Sequence, residues 1–155
     1  MPSRRMLLCL AGLAAAGLAV ERLRPRGKPR YDTSLLPGVA LGGYDPVSYF
    51  AGAVPQRGLA GLTLEHDGAA WRFSSAENRD QFRARPAAYL PRYGGYCAYA
   101  VAGGGTAGAD PEVWQIVDGR LYLNASRRVH AKWLRDPAGY IARADANWPG
   151  VLGRG

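Results

Sequence analysis

The chain has little sulfur, little imidazole and little acid. Its 155 residues include two cysteines, two histidines and two methionines, and twelve Asp/Glu against twenty Lys/Arg. One cysteine, Cys9, lies in an apolar run near the N-terminus, so a chain that loses this run keeps Cys97 alone and forms no internal disulfide. No Cys-x-x-Cys is present, which excludes a thioredoxin-like dithiol. Gly-x-Ser-x-Gly and His-Glu-x-x-His are absent too, and the glycine-rich stretch "AGGGTAGAD" lacks the Gly-Lys-Ser/Thr ending of a phosphate loop. It reads as a flexible linker. The excess of positive charge is also local. Residues 1–30 hold seven Lys/Arg against one Glu, whereas residues 31–155 hold thirteen Lys/Arg against eleven Asp/Glu. A nearly neutral body without a long basic stripe speaks against a nucleic-acid partner.

What the N-terminus does have is a targeting pattern. Ser3-Arg4-Arg5 precedes "MLLCLAGLAAAGLAV", Met6 to Val20, fifteen residues without a charge. That run is short for a membrane span and suits the core of a signal peptide, with twin arginines ahead of it. Gly17-Leu18-Ala19 supplies small residues for cleavage. Five cations follow the run, which leaves an uncleaved anchor open. The expected organisation is therefore a signal or anchor segment over 1–20, an Arg-, Pro- and Gly-rich linker over 21–38, and one domain over 39–150. The expected location is periplasmic, with membrane contact only through residues 6–20.

Within the domain, Asp45-Pro46 predicts the start of a short helix, with the aspartate as cap and the proline in the first turn. Two hairpins are expected at Asp67-Gly68 and Asp118-Gly119, a dipeptide that tolerates positive φ in two-residue turns. Each leads into a helix. Ser74 and Glu77 have capping-box spacing in the first, and Asn124 or Ser126 can cap the second. Val129, Trp133 and Leu134 form its expected apolar stripe. At an offset of 51 residues Asp67-Gly68 falls on Asp118-Gly119, Ser75 on Ser126, Phe82 on Trp133, Pro86-Ala87 on Pro137-Ala138 and Tyr89 on Tyr140. An internal duplication of hairpin plus helix is the economical reading. The expected fold is a small single α+β domain of two such units packed together, sheet on one side and helices on the other.

Three stretches, "GYDPVSYF", "WRFSSAENRDQFRARPAAYLPRYGGYCAYA" and "PEVWQIVDGRLYLNASRRVHAKWL", with "ADANWP" after them, resemble the exported YHS domain-containing proteins over about Leu41 to Pro149. The resemblance implies an accessory module of the cell envelope that binds a metal, a small ligand or an envelope protein. Members with a metal knuckle carry cysteines where this chain has Ser48, Ser74 and Asn78. Neutral hydroxyl and amide oxygens are poor substitutes for thiolate toward soft metals, so the usual thiolate cluster is excluded by composition. Any metal ion would need other ligands, and the soft donors left are Cys97, His66 and His130.

Cys97 stands in "YGGYCAYAV" (Tyr93 to Val101), where Gly94-Gly95 permits a left-handed backbone and close approach of another segment. Read as a strand, the stretch puts Cys97 and Tyr99 on one face, so Tyr96, Cys97 and Tyr99 are the candidate ligand-binding residues. Three roles for the thiol stay open on sequence alone. It can fill a small apolar space, as free cysteines often do; it can ligate a ligand or metal; or it can act as the nucleophile of a single-thiol redox or transfer enzyme, given a cation or imidazole nearby. A fourth possibility leaves the thiol idle and makes the protein a structural interaction module that meets its partner through surface Tyr and Trp side chains.

Overall fold

The computed structural model describes residues 27–52 and 54–154. The expected signal or anchor segment and the first part of the expected linker, residues 21–26, lie outside the described residues. Among the described residues no helix is long and apolar enough to cross a membrane.

The fold is α+β, and its parts come in pairs. Each half opens on a tight turn that needs three consecutive residues at positive φ. These are Leu41, Gly42 and Gly43 at 54°, 57° and 84°, and Tyr93, Gly94 and Gly95 at 55°, 62° and 83°. Tyr44 N–H donates to Leu41 O and Tyr96 N–H to Tyr93 O, both at 3.1 Å. A short helix follows each turn, α1 (Ser48–Ala51) and α3 (Ala98–Ala102). The expected strand through Cys97 and Tyr99 is therefore corrected to a turn and helix. Backbone reversed at Gly94-Gly95 delivers the chain in a helical direction, and alternation no longer applies.

The hairpins come next, β1 (Leu59–His66) with β2 (Ala69–Phe73), and β3 (Asp110–Val117) with β4 (Arg120–Asn124). Asp67 and Gly68 lie at φ 50° and 84°, and Asp118 and Gly119 at 50° and 70°, as the two-residue turn requires. Thr63 pairs with Arg72 and Trp114 with Leu123, and both hairpins slip register in the residues before these pairs. All paired positions match at the offset of 51. The hairpins form two separate two-stranded sheets rather than one layer. Loop backbone occupies the edge each would offer: Val39 bridges Ala70 on β2, and Cys97 bridges Leu123 on β4.

Helix α2 (Ala76–Ala84) follows the first hairpin, and α4 (Arg127–Trp133) and α5 (Pro137–Asn147) follow the second. Ser75, not Ser74, caps α2 by accepting from Asn78 N–H at 3.1 Å. Ser126 caps α4 through Val129 N–H at 3.2 Å. Trp133 is fully buried, but Leu134 is 48% exposed, because α4 ends at Trp133 and the next position turns outward.

Two apolar clusters make the core. The first gathers Trp71, Phe73 and Phe82 with Leu121 and Leu123, and the second gathers Tyr93, Val101, Trp133 and Ala144 around Tyr122. Alternation along β4 thus serves both, Leu121 and Leu123 facing one way and Tyr122 the other.

Residues 28–32 of the expected linker are part of the body. Tyr31 is buried in the first cluster. Asp32 N–H donates to Gly94 O at 2.8 Å, and Asp32 Oδ2 accepts from Ala109 N–H at 2.9 Å. The expected boundary at 150 also moves outward, since Val151 is buried and Leu152 O accepts from Lys28 N–H at 2.9 Å.

Candidate functional site

Cys97 sits at the start of α3 with 1% of its surface exposed. Its backbone N–H donates to Ala107 O at 3.0 Å. Its thiol has one hydrogen-bond partner among the described residues, Asn124 Oδ1 at 3.7 Å. The same amide oxygen accepts from Tyr99 N–H at 3.3 Å, which fixes which way the Asn124 amide points. Asn124 Nδ2 is then left buried without a partner. Among the described residues no histidine, lysine or arginine hydrogen-bonds the sulfur.

The other sequence candidates do not gather at this thiol. Tyr96 O–H donates to Pro29 O at 2.8 Å, and burial, with Asp32 nearby, pushes the phenol up to about 12. Tyr99 packs on Tyr140 with ring centres 5.1 Å apart, beneath the Lys132 ammonium. His66 stacks edge-on against Phe82 in the first unit, while His130 lies beside Trp133 in the second. Burial lowers the His130 pKa. Cys97, His66 and His130 therefore do not form a metal-ligand set, and no group of three or more His, Cys, Asp or Glu capable of holding a metal is found among the described residues.

Ser48, Ser74 and Asn78 do come together, at Asp45. Asp45 is completely buried. Its Oδ2 accepts from Ser74 N–H at 2.8 Å, Ser74 O–H at 2.6 Å and Asn78 Nδ2–H at 2.7 Å. Its Oδ1 accepts from Val47 N–H at 2.9 Å. Ser48 O–H donates to Asp45 O at 2.7 Å. With four donors already aimed at it, the carboxylate acts as a structural tie between α1 and α2.

A cleft of about 650 Å³ opens where the two units meet, and none of Tyr96, Cys97 and Tyr99 lines it. Its wall carries Tyr44 and Arg57 from the first unit and Asp110 and Glu112 from the second. Tyr44 O–H donates to Glu112 Oε1 at 2.7 Å, and this hydrogen bond, then burial, raises the phenol's pKa and keeps it a donor. The Arg57 guanidinium stands 4.7 Å from the centre of the Tyr44 ring. Asp110 and Glu112 are two apart on β3, so they share a face. The cleft presents a cation on one side of a phenol and carboxylates on the other. Local sequence patterns do not show it, because its lining comes from stretches as far apart as Ser34, Arg57, Glu112 and Ala125. One signal was available: Tyr44 matches Tyr96 in the repeated Gly-Gly-Tyr, and only Tyr44 has an acidic partner. No family model, curated protein or solved structure matches the chain.

Proposed function

We propose that the protein is an exported, non-enzymatic binding module of the cell envelope, in keeping with its resemblance to the YHS domain proteins, and that it holds a small zwitterionic ligand in the junction cleft. The leader-like residues 1–20 support the location. The observation that carries the binding role is the cleft itself. Its volume falls within the usual range for small-molecule sites, and its polar groups are few and convergent. Arg57 suits a carboxylate as a planar fork of donors, while Asp110 and Glu112 suit an ammonium group. A ligand carrying both charges spans the Tyr44 ring between them. A ligand fits this cleft better than a metal does, since Cys97, His66 and His130 stand apart.

Titration of the purified protein with free amino acids, followed by thermal unfolding, tests the reading. Binding should raise the melting temperature, and Arg57→Gln or Glu112→Gln should each remove the shift. Both side chains are exposed, so both variants should fold. The idea fails if no amino acid stabilises the protein, or if the shift survives both substitutions. Metal content of protein purified from its native compartment, compared between wild type and Cys97→Ser, tests the metal alternative: equal content removes Cys97 as a ligand.

A further inference from the structure

A second cavity, of about 330 Å³, lies on another part of the molecule, between the N-terminal arm, the Gly94 turn and the second hairpin turn. Arg30, Arg92 and Arg120 line it, together with Tyr31, Tyr93 and Trp148, and among the described residues no acidic one does. We propose that this pocket binds a small aromatic molecule bearing a carboxylate or phosphate group.

Two of the three guanidiniums are ion-paired, and the third has no ion pair among the described residues. Arg30 Nε pairs with Asp67 Oδ2 at 3.1 Å. Arg92 Nη2 pairs with Asp145 Oδ1 at 2.8 Å. Neither carboxylate lines the cavity, so each orients its arginine without taking the place of an incoming anion. With Arg30 and Arg92 each balanced by one carboxylate, Arg120 is the cation of the concave wall without an acidic partner among the described residues, and it draws an anion there. Guanidinium forks match the planar oxygens of carboxylate and the oxygens of phosphate.

The aromatic body of the ligand is argued from the remaining wall. Trp148 is the half-buried ring of this wall, and Tyr93, itself 2% exposed, backs it with ring centres 6.0 Å apart at 62°. Tyr93 O–H donates to Asp145 Oδ1 at 2.9 Å, which holds the ring in place. Stacking or edge contact with a planar guest suits such a wall. At Gly119 an added Cβ would meet no atom within 4 Å, so this rim is open. The volume suits one ring with one anionic substituent.

The test is an NMR titration of the isotope-labelled protein at low salt, reading the amides of Gly94 and Gly119 and the Trp148 indole. Phenyl phosphate, benzoate, inorganic phosphate and benzyl alcohol are the probes. Phenyl phosphate or benzoate should give saturable shifts, the tighter of the two identifying the oxyanion. Arg120→Gln, an exposed change whose amide spectrum also reports folding, should weaken that binding by at least about tenfold, as expected for hydrogen bonds to a charged group. Arg57→Gln, at the junction cleft, should leave it unchanged. The proposal is overturned if neither aryl anion saturates, if Arg120→Gln has no effect, or if benzyl alcohol binds as tightly. Equal affinity for inorganic and phenyl phosphate would remove the aromatic part.

Discussion

Asp45 and Cys97 occupy corresponding places, each one residue beyond the tyrosine of a Gly-Gly-Tyr turn. Asp45 Oδ1 accepts the Val47 N–H itself, whereas the matching Tyr99 N–H goes to Asn124 Oδ1. The second unit thus hands the capping task to the end of β4 and leaves a thiol where the first has a carboxylate. Ser74 and Asn78, the donors to Asp45, correspond at an offset of 51 to Ala125 and Val129, so a carboxylate at position 97 would lack them. Replacing Asp45 with Ala should leave the buried Val47 N–H and the half-buried donors of Ser74 and Asn78 unpaired, and a net loss of about 2–4 kcal/mol in urea unfolding is expected. A loss under about 1 kcal/mol would mean that these donors find other partners. His130 gives a prediction in pH. Burial lowers its pKa from 6.5, so the folded state favours the neutral ring. The unfolded chain then binds the proton more readily, and folding loses stability as pH falls through 6.5 toward the lowered value. Thermal unfolding between about pH 5 and 8 should show His130→Gln less sensitive to acid than wild type. Parallel curves would count against this role.

At the level of elements, the glycines of the repeated turns do unequal work. A Cβ on Gly94, at φ 62°, would stand 1.8 Å from Arg30 O, where the N-terminal arm crosses. A Cβ on Gly119, at φ 70°, would meet nothing within 4 Å. Gly119→Ala should therefore cost only the left-handed backbone term, about 1–2 kcal/mol. Gly94→Ala should cost more and release residues 28–32, visible as faster amide exchange at Asp32. Equal losses would show that the arm contributes little. The same contrast explains what was legible in the sequence. Asp-Gly turns and the Ser126 cap depend on neighbours within a few residues, and the chain spells them out. The order of the arm, residues 28–32, is hidden in the sequence because its Pro and Arg content resembles a linker. Its order comes from Gly94, Ala109 and Leu152, far along the chain. The helix at Ala98–Ala102 is equally hidden, because apparent alternation runs across a backbone reversal. The spacing of Ser74 fits a cap because local pattern gives no sign of a distant carboxylate.

The whole molecule is joined by one strand. β4 has Leu121 and Leu123 in the first cluster and Tyr122 in the second, so neither cluster closes without it. The arm adds a second tie, with Tyr31 in the first cluster and Tyr96 O–H, from the second, bonded to Pro29 O. The candidate cleft depends on the same union, since Tyr44 and Arg57 come from one half and Asp110 and Glu112 from the other. Pairing of distant residues of this kind is what local sequence patterns leave out. Repeat proteins whose units meet only their neighbours can unfold in stages, but here the two halves share a wall and should lose structure together. Urea unfolding followed by tryptophan fluorescence and by far-ultraviolet circular dichroism should give coincident, single transitions. Leu121→Ala should shift both midpoints equally, by a loss of about 2–5 kcal/mol typical of a buried leucine. Two separated transitions, with only the first half destabilised by Leu121→Ala, would show that the units stand independently and that the cleft between them is not a fixed site.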